Sequence, residues 1–304
     1  MKDNVTAIII AYNDFSALYR CIETIYSQAD RIFIVDNSTN NDRYAYRDPD
    51  KKIDYFKNKT NIGLANALNI GINKALEIKN DWILLLDQDA VSDENMVSNM
   101  IRSYNRSADK NLIAQVVPVV YDKNSDNYLP SLIYNKFSLK KIFTPKKDAF
   151  VDFQITSGTL VKKNIFSKIG FMDGELFIDY IDFDFCFRLR EKGYKILLSH
   201  NALLRHSLGK KSKNLFFEFT EHNSMRVFYQ IRNRLIIMKR FRKRFPFFCI
   251  SETKNLLVTL LKIILAENNK IEKIINYFKG LYTFILYCST DGYVENLPKY
   301  PFGN

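Results

Sequence analysis

The chain has 304 residues, 47% hydrophobic and 26% charged, with 10 Gly and 7 Pro, which excludes a disordered or collagen-like protein. Its 45 Lys and Arg against 33 Asp and Glu leave a net charge of +12, which points to an anionic partner: nucleic acid, a phosphorylated ligand or a membrane surface. The four cysteines, Cys21, Cys186, Cys249 and Cys288, stand far apart without a C-x-x-C pair, which argues against a zinc site or a disulfide framework and fits a reduced, cytoplasmic chain. The N-terminus lacks the apolar core and cleavage site of a signal peptide. No run reaches the ~18–20 apolar residues of a spanning helix; the best, Leu256 to Ala266, is short and contains Lys262. The protein is expected to stay inside the cell.

In chain order, apolar runs alternate with helical patterns, as in a mostly parallel sheet with crossover helices. Val5–Ala11 reads as a buried strand, Phe15–Gln28 as an amphipathic helix, Arg31–Asp36 as a strand and Ile53–Lys57 as a short third. Leu64–Ile78 reads as a helix with a buried stripe of Leu64, Leu68, Ile72 and Leu76. Trp82–Asp87 is a strand, Ser92–Tyr104 a helix capped by Ser92, and Ile113–Val120 a strand. Residues 122–149, polar and Lys-rich, read as an irregular excursion. Phe150–Thr156 and Leu160–Lys162 resume the sheet, Tyr180–Glu191 is a helix ending at Gly193, and Lys195–Leu198 is a short strand. Beyond His206 the pattern becomes helical, basic and aromatic: Arg226 to Lys279 carries a net +10 of the total +12. The expected domains are 1–215, with a nucleotide half to about 110 and an acceptor half after it, and a helical basic region, 216–304.

Ligands of α/β sheets gather beyond the carboxyl ends of the strands, so polar residues ending strands are the candidates. Strand one ends in Ala11-Tyr12-Asn13, strand two in Asp36-Asn37-Ser38, strand four in Asp87-Gln88-Asp89, and a later one in Ile155-Thr156-Ser157-Gly158. Asp36 either holds a ribose hydroxyl or base N–H, or opens an Asx-turn. No G-x-G-x-x-G follows strand one, which argues against a dehydrogenase. Two carboxylates flanking Gln88 at the end of an apolar strand call for compensation, which a divalent cation bridging to a diphosphate supplies; the alternative is a solvated turn. Asn66, Asn69 and Asn73 form a helix face of poor helix formers beside Gly63, either donors aimed at a ligand or an ordinary polar face. Asp179, Asp182 and Asp184 cluster at a helix start, where Asp is favoured by the dipole; Asp179 suits that capping role, and one of them could instead be a buried general base. His206 ends another apolar run, as a structural residue or a metal ligand.

Taken in order, IIIAYN (8–13), IVDNS (34–38), NIGLANALNIGI (61–72), LLLDQDA (84–90), ITSGTL (155–160), FIDYIDFDFCFRLREKGYK (177–195), RHSLG (205–209) and YQIRNRL (229–235) resemble a family 2 glycosyltransferase of the GT-A fold over residues 5 to 235. Within it the resemblance is closest to rhamnosyltransferases of bacterial cell-surface polysaccharide synthesis. The resemblance implies an α/β fold, Rossmann-like, with a mostly parallel sheet flanked by helices. It makes Asp36 the nucleotide aspartate, with Ala11, Tyr12 and Asn13 beside the base. Asn61, Gly63, Asn66, Asp87 and Gln88 would lie near nucleotide and sugar, Asn69 being a weaker extension. Asp89 and His206 would be metal ligands for Mg²⁺ or Mn²⁺, and Arg232 would grip the diphosphate. Thr156, Ser157, Gly158 and Asp179 would face the acceptor. The family's Glu-Asp base motif reads Ile181-Asp182 here, so Asp182 alone remains as the base.

The resemblance further implies inverting transfer of a sugar, dTDP-rhamnose being favoured as donor, to a lipid-linked saccharide acceptor for O-antigen, capsule or cell-wall polysaccharide. The protein would be peripheral on the cytoplasmic face of the inner membrane, held by the basic tail, with a solvated helical cap or a homo-oligomer interface as the tail's other reading. A transferase using UDP-galactofuranose or another UDP-sugar is the alternative. A nucleic-acid-binding protein is a distant one, since clustered Asp repel phosphate; no nucleic acid partner is expected.

Overall fold

The computed structural model describes residues 3–40, 44–135, 137–207, 211–213, 218–220 and 223–289. Leu208 and Gly209 of the RHSLG segment and residues 290–304 of the expected basic region lie outside these. Two compact units emerge, one made of Met1–Ile133, Lys140–Phe177 and Ile181–Leu208, the other of Tyr134–Leu139, Ile178–Tyr180 and Gly209–Asn304.

In the first unit, β1 (Val5–Ala11) is buried at every position, which requires cover on both faces and parallel neighbours. Helix α1 (Phe15–Ile25) begins at Asp14, whose carboxylate accepts from the Ala17 amide, and buries Leu18, Cys21, Ile22 and Ile25 at helical spacing. Strands β2 (Arg31–Asp36) and β3 (Ile53–Lys57) come next, parallel to β1 and to each other. Helix α2 (Leu64–Glu77) buries Ala65, Ala67, Leu68, Gly71, Ile72 and Ala75 rather than a stripe of large side chains. The reason is a close approach to the sheet: a Cβ on Gly71 would stand 2.4 Å from Ile8 Cγ2, so Leu64 and Leu76 are displaced to half-buried flanks.

Strand β4 (Trp82–Asp87) pairs with β1 on its other side. Ser92 is not a helix cap. It ends a two-residue strand, β5 (Val91–Ser92), and α3 (Met96–Arg106) starts four residues later after Asn95. Strand β6 (Ile113–Asp122) runs two residues beyond the expected end. The 122–149 stretch is not irregular: β7 (Asn127–Leu129) folds back on β6, while β8 (Ser131–Tyr134) and β9 (Leu139–Ile142) pair with each other. Of the expected 150–156 strand only Phe150 and Val151 are strand, within β10 (Ala149–Val151). Beyond it the chain leaves the sheet, because Asp152 and Phe153 bond to Leu132 and the Gln154 side-chain Nε2 donates to Ser131 Oγ.

Strand β11 (Thr159–Lys162) enters antiparallel between β4 and β6, and is succeeded by α4 (Ile165–Ile169) and α5 (Ile181–Glu191). Strand β12 (Lys195–His206) is three times the expected length. Its polar Ser199-His200-Asn201 resembles a turn in sequence but forms a bulge, where the register against β6 shifts between Ser199 and Leu203. The path of the sheet is β10-β12-β6-β11-β4-β1-β2-β3, and β5 pairs with β12. Since β1, β2, β4, β6 and β12 all point one way and β11 the other, the carboxyl ends of those five and the start of β11 share one edge. Ala11, Asp36, Asp87, Gly158 and His206 meet there.

In the second unit, β13 (Lys211–Lys213) and β14 (Glu218–Thr220) form an antiparallel pair. Three helices complete it, α6 (Ser224–Phe241), α7 (Pro246–Leu265) and α8 (Lys270–Ser289). Val227, Ile231, Ile263 and Tyr277 are their shared core. Helix α8 lies against α6 at Gly280, where a Cβ would stand 2.9 Å from the Phe228 carbonyl oxygen. Among the described residues, no helix is long and apolar enough to cross a membrane.

Candidate active site

Asp36 is fully buried at the end of β2. One oxygen accepts from the Ser38 amide at 2.8 Å, which is the Asx-turn; the other accepts from Lys57 Nζ at 2.9 Å and from the Tyr55 hydroxyl. Burial pushes this carboxyl up, but Lys57, Ser38 and Tyr55 pull harder and hold it below the usual carboxylate range. Polarity at strand ends does not single out Lys57 and Tyr55. Their signal is the period of a strand: Asp36 is in register with Lys57 on β3, and Tyr55 is two residues away on the same face.

Beyond β1, Asn13 takes a left-handed turn (φ 54°), and its side-chain oxygen accepts from the Thr39 amide at 2.9 Å. Its own amide donates to Ser38 Oγ. Gln88 reaches across to Tyr12, accepting from its amide at 2.6 Å and donating to its carbonyl at 2.8 Å. The loops after β1, β2 and β4 are thereby tied into one rim, with the Tyr12 ring exposed.

Within that rim, His206 Nε2 stands 3.1 Å from Asp87 Oδ2 and 3.4 Å from Asp89 Oδ1. One ligand atom from each of the three lies within 4.8 Å of the others, the one such group among the described residues. Burial, followed by the nearby Asp87 charge, pushes Asp89 up to about 6 against the opposing pull of His206. Burial alone would lower His206, but its bond to Asp87 and the two carboxylates raise it above the ordinary imidazole value. Two hard oxygen donors and one imidazole nitrogen converging on one point fit Mn²⁺ or Mg²⁺. His206 Nδ1 is buried with no hydrogen-bond partner, so the ring is aimed by packing and by its carboxylate contacts.

The 155–158 segment supports the end of β4. Ser157 Oγ accepts from the Asp87 amide at 3.1 Å, and the Gly158 amide donates to the Leu85 carbonyl at 2.7 Å. Gly158 needs its positive φ of 84°, and a Cβ there would stand 2.8 Å from Leu204 Cδ2. Thr156 is beside them, its carbonyl accepting from Thr159. Asn61 accepts from the Asn37 side chain and the Gly63 amide. The Asn66 and Asn69 side chains are engaged by backbone: Asn66 donates to Ile62, and Asn69 exchanges two bonds with Met172. Asn73 is exposed. At the start of α2 the Leu64 and Ala65 amides donate to the Phe177 carbonyl.

Asp182 sits in the first turn of α5, half-buried, one oxygen accepting from the Phe183 amide at 3.0 Å. Asp184 is buried and paired with Arg188 at 2.7 Å. Asp179, expected as the helix cap, stands before the helix with φ 63° and pairs with Arg226 at 2.8 Å, both within the second unit. Its neighbours are held by Asn233, which donates to the Ile178 and Asp179 carbonyls. Arg232, also in the second unit, is buried with Nε and Nη2 on Asn233 Oδ1 and its guanidinium 4.8 Å from the Tyr229 ring.

A family model described as glycosyl transferase family 2 matches residues 6–170. The dTDP-rhamnosyl transferase RfbF of Shigella flexneri is 28% identical over 284 residues, 90% of this chain and 92% of that protein. An uncharacterised glycosyltransferase of Methanocaldococcus jannaschii is 25% identical over 224 residues, 70% of this chain and 74% of its own length. Among solved structures, GalNAc-T7 with UDP, GalNAc and Mn²⁺ aligns with a TM-score of 0.58 at 12% identity, over 97% of this chain and 58% of that chain. S. aureus TarS aligns with a TM-score of 0.53 at 10% identity, over 97% of this chain and 46% of that chain. These two likenesses concern the fold.

Proposed function

The chain belongs to glycosyl transferase family 2, and from that premise we propose that it moves L-rhamnose from dTDP-rhamnose, with inversion, onto a lipid-linked saccharide acceptor of bacterial polysaccharide synthesis. Its fold is the GT-A fold and its activity is that of a glycosyltransferase. The choice of rhamnose is supported by the 28% identity to a dTDP-rhamnosyl transferase along nearly the whole of both chains. The observation that carries the reaction type is the convergence of Asp87, Asp89 and His206 at the strand-end edge that Asp36 shares.

Asp89 and His206, with Asp87 beside them, would hold Mg²⁺ or Mn²⁺. When bound, such a cation supplies charge stabilisation to a departing nucleoside diphosphate. Asp36, its oxygens held by Ser38, Lys57 and Tyr55, shapes the nucleoside subsite at the end of β2, with Ala11, Tyr12 and Asn13 against the base, and with Asn61 and Gly63 bordering it. Tyr12 offers an exposed aromatic face for that base. Gln88 keeps the loops after β1 and β4 in register, so nucleoside and sugar are positioned by one rim. Asp182 accepts the proton of the acceptor hydroxyl; the freed oxygen pair bonds to the anomeric carbon, and the carbon–oxygen bond to the diphosphate breaks with its electrons leaving on the phosphate. Thr156, Ser157 and Gly158 border the acceptor side.

The test is a panel of dTDP-rhamnose and UDP-sugars, UDP-galactofuranose included, scored for nucleotide release with Mn²⁺, Mg²⁺ or chelator. Release from dTDP-rhamnose well above the others is the expected result. Preference for a UDP-sugar would move the assignment to the alternative donor, and release from none would remove the reading.

A further inference from the structure

Helix α7 is twenty residues long, yet only Phe248, Glu252 and Ile263 of it are buried. Its outward stripe includes Leu257, Leu261 and Leu265, and that of α8 includes Ile271, Phe278 and Tyr282; each of the six is between 54 and 77% exposed. The spacings are helical, so each set forms one face, opposite the residues that pack toward α6. The helices are consecutive, joined by residues 266–269, and share a core at Ile263 and Tyr277. An exposed apolar surface of this extent on one helical pair calls for an occupant.

Charge selects it. Just before α7 the chain presents Arg242, Lys243 and Arg244, three consecutive exposed cations that open onto the same helix. Lys254 rises within the α7 stripe and Lys279 flanks that of α8, both exposed. Arg226 to Lys279 carries +10 overall; Arg232, Arg234 and Lys273 within it are buried, and the exposed cations named above face outward. A second copy of the chain would bring two such surfaces face to face and set like charges together. An anionic bilayer matches both features: apolar side chains enter the acyl boundary while Lys and Arg stay at the headgroups.

We infer that the outward face of α7 and α8, with the Arg242–Arg244 turn, is an interfacial docking surface for anionic phospholipid. The inference deepens the proposed use of a lipid-linked acceptor by naming the surface that meets the membrane, and its test needs no sugar donor, so either can fail alone. The full chain is floated with vesicles of phosphatidylcholine alone or of phosphatidylcholine and phosphatidylglycerol in equal parts. Retention on the anionic vesicles is expected to exceed that on neutral ones by at least ~10-fold and to fall at high salt. The triple variant Arg242→Gln, Lys243→Gln, Arg244→Gln is expected to lose most of the anionic preference. The triple variant Leu257→Gln, Leu261→Gln, Phe278→Gln is expected to lose retention while keeping its circular dichroism, since all three side chains are exposed. Equal retention on neutral vesicles, unchanged retention in the Gln variants, or a dimer that the apolar-face variant dissociates in the absence of vesicle binding would each overturn the inference.

Discussion

The ring of Phe177 lies over Gly63 so closely that a Cβ on the glycine would stand 2.5 Å from the ring and 2.8 Å from the Phe177 carbonyl oxygen. That same oxygen accepts from the Leu64 and Ala65 amides, so Phe177 closes the start of α2 from more than a hundred residues away in the chain. Both residues have positive φ, 85° and 60°, which is free for glycine and strained for phenylalanine. Gly63→Ala is therefore expected to destabilise the first unit by at least ~2 kcal/mol, from backbone strain and overpacking together. In thermal unfolding this corresponds to a fall in Tm of roughly 4–8 °C. An unchanged Tm would mean that the segment from Phe177 to Tyr180 yields without cost.

Metal binding should be visible in stability as well as in rate. A cation that binds the folded chain alone raises stability by ~2.7 kcal/mol at a hundredfold excess over its Kd. Mn²⁺ is expected to raise the Tm of the parent and not that of Asp89→Asn or His206→Ala. Transfer by either variant is expected to fall ~100-fold or more, removal of a ligand exceeding the 10–100-fold seen for groups that merely orient one. Equal Tm shifts in parent and variants would place the cation elsewhere.

Asp182→Asn keeps the size of the side chain and its place in the first turn of α5. Loss of a general base costs ~10²–10⁴-fold in rate, so transfer should fall within that range while dTDP-rhamnose binding, measured by calorimetry, stays near the parental value. Near-normal turnover would remove Asp182 as the base.

Asp36 gives a pH-dependent signature. Its folded carboxyl is held below the usual range, and an unfolded Asp titrates near ~3.9. The stabilisation is thus complete above the unfolded value and is lost as pH falls through the folded one. Asp36→Asn should be less stable than the parent at neutral pH, with the gap closing in urea midpoints taken below about pH 4. A gap that stays constant across that window would show that Asp36 contributes no ionic stabilisation.

The strand ends are legible in the sequence because each is a local event: an apolar run that stops at a polar residue. Asp36, Asp87 and His206 can be found that way. Distant chain decides the features that are not legible. Ser92 has the composition of a cap, but its strand pairs with Leu204, and that partner outweighs local capping. Asn66 and Asn69 look like a ligand-facing row, yet their bonds go to Ile62 and to Met172, the latter more than a hundred residues on. Asp179 is drawn from the helix start by Arg226, which no spacing rule connects to it. Lys57 is different: it ends the β3 run as Asp36 ends the β2 run, and the parallel pairing of the two strands sets those ends side by side.

The contact between the ends of β4 and β12 has a consequence for synthesis. His206 joins Asp87 across 119 residues of chain, and the last strand of the first unit to be made is the one that carries it. At ordinary rates of translation those residues take roughly 6–24 s to emerge. For that interval the nascent chain holds its two carboxylates without their imidazole. If the three residues hold a cation as proposed, capture of that cation by the nascent chain would report that the first unit has been completed.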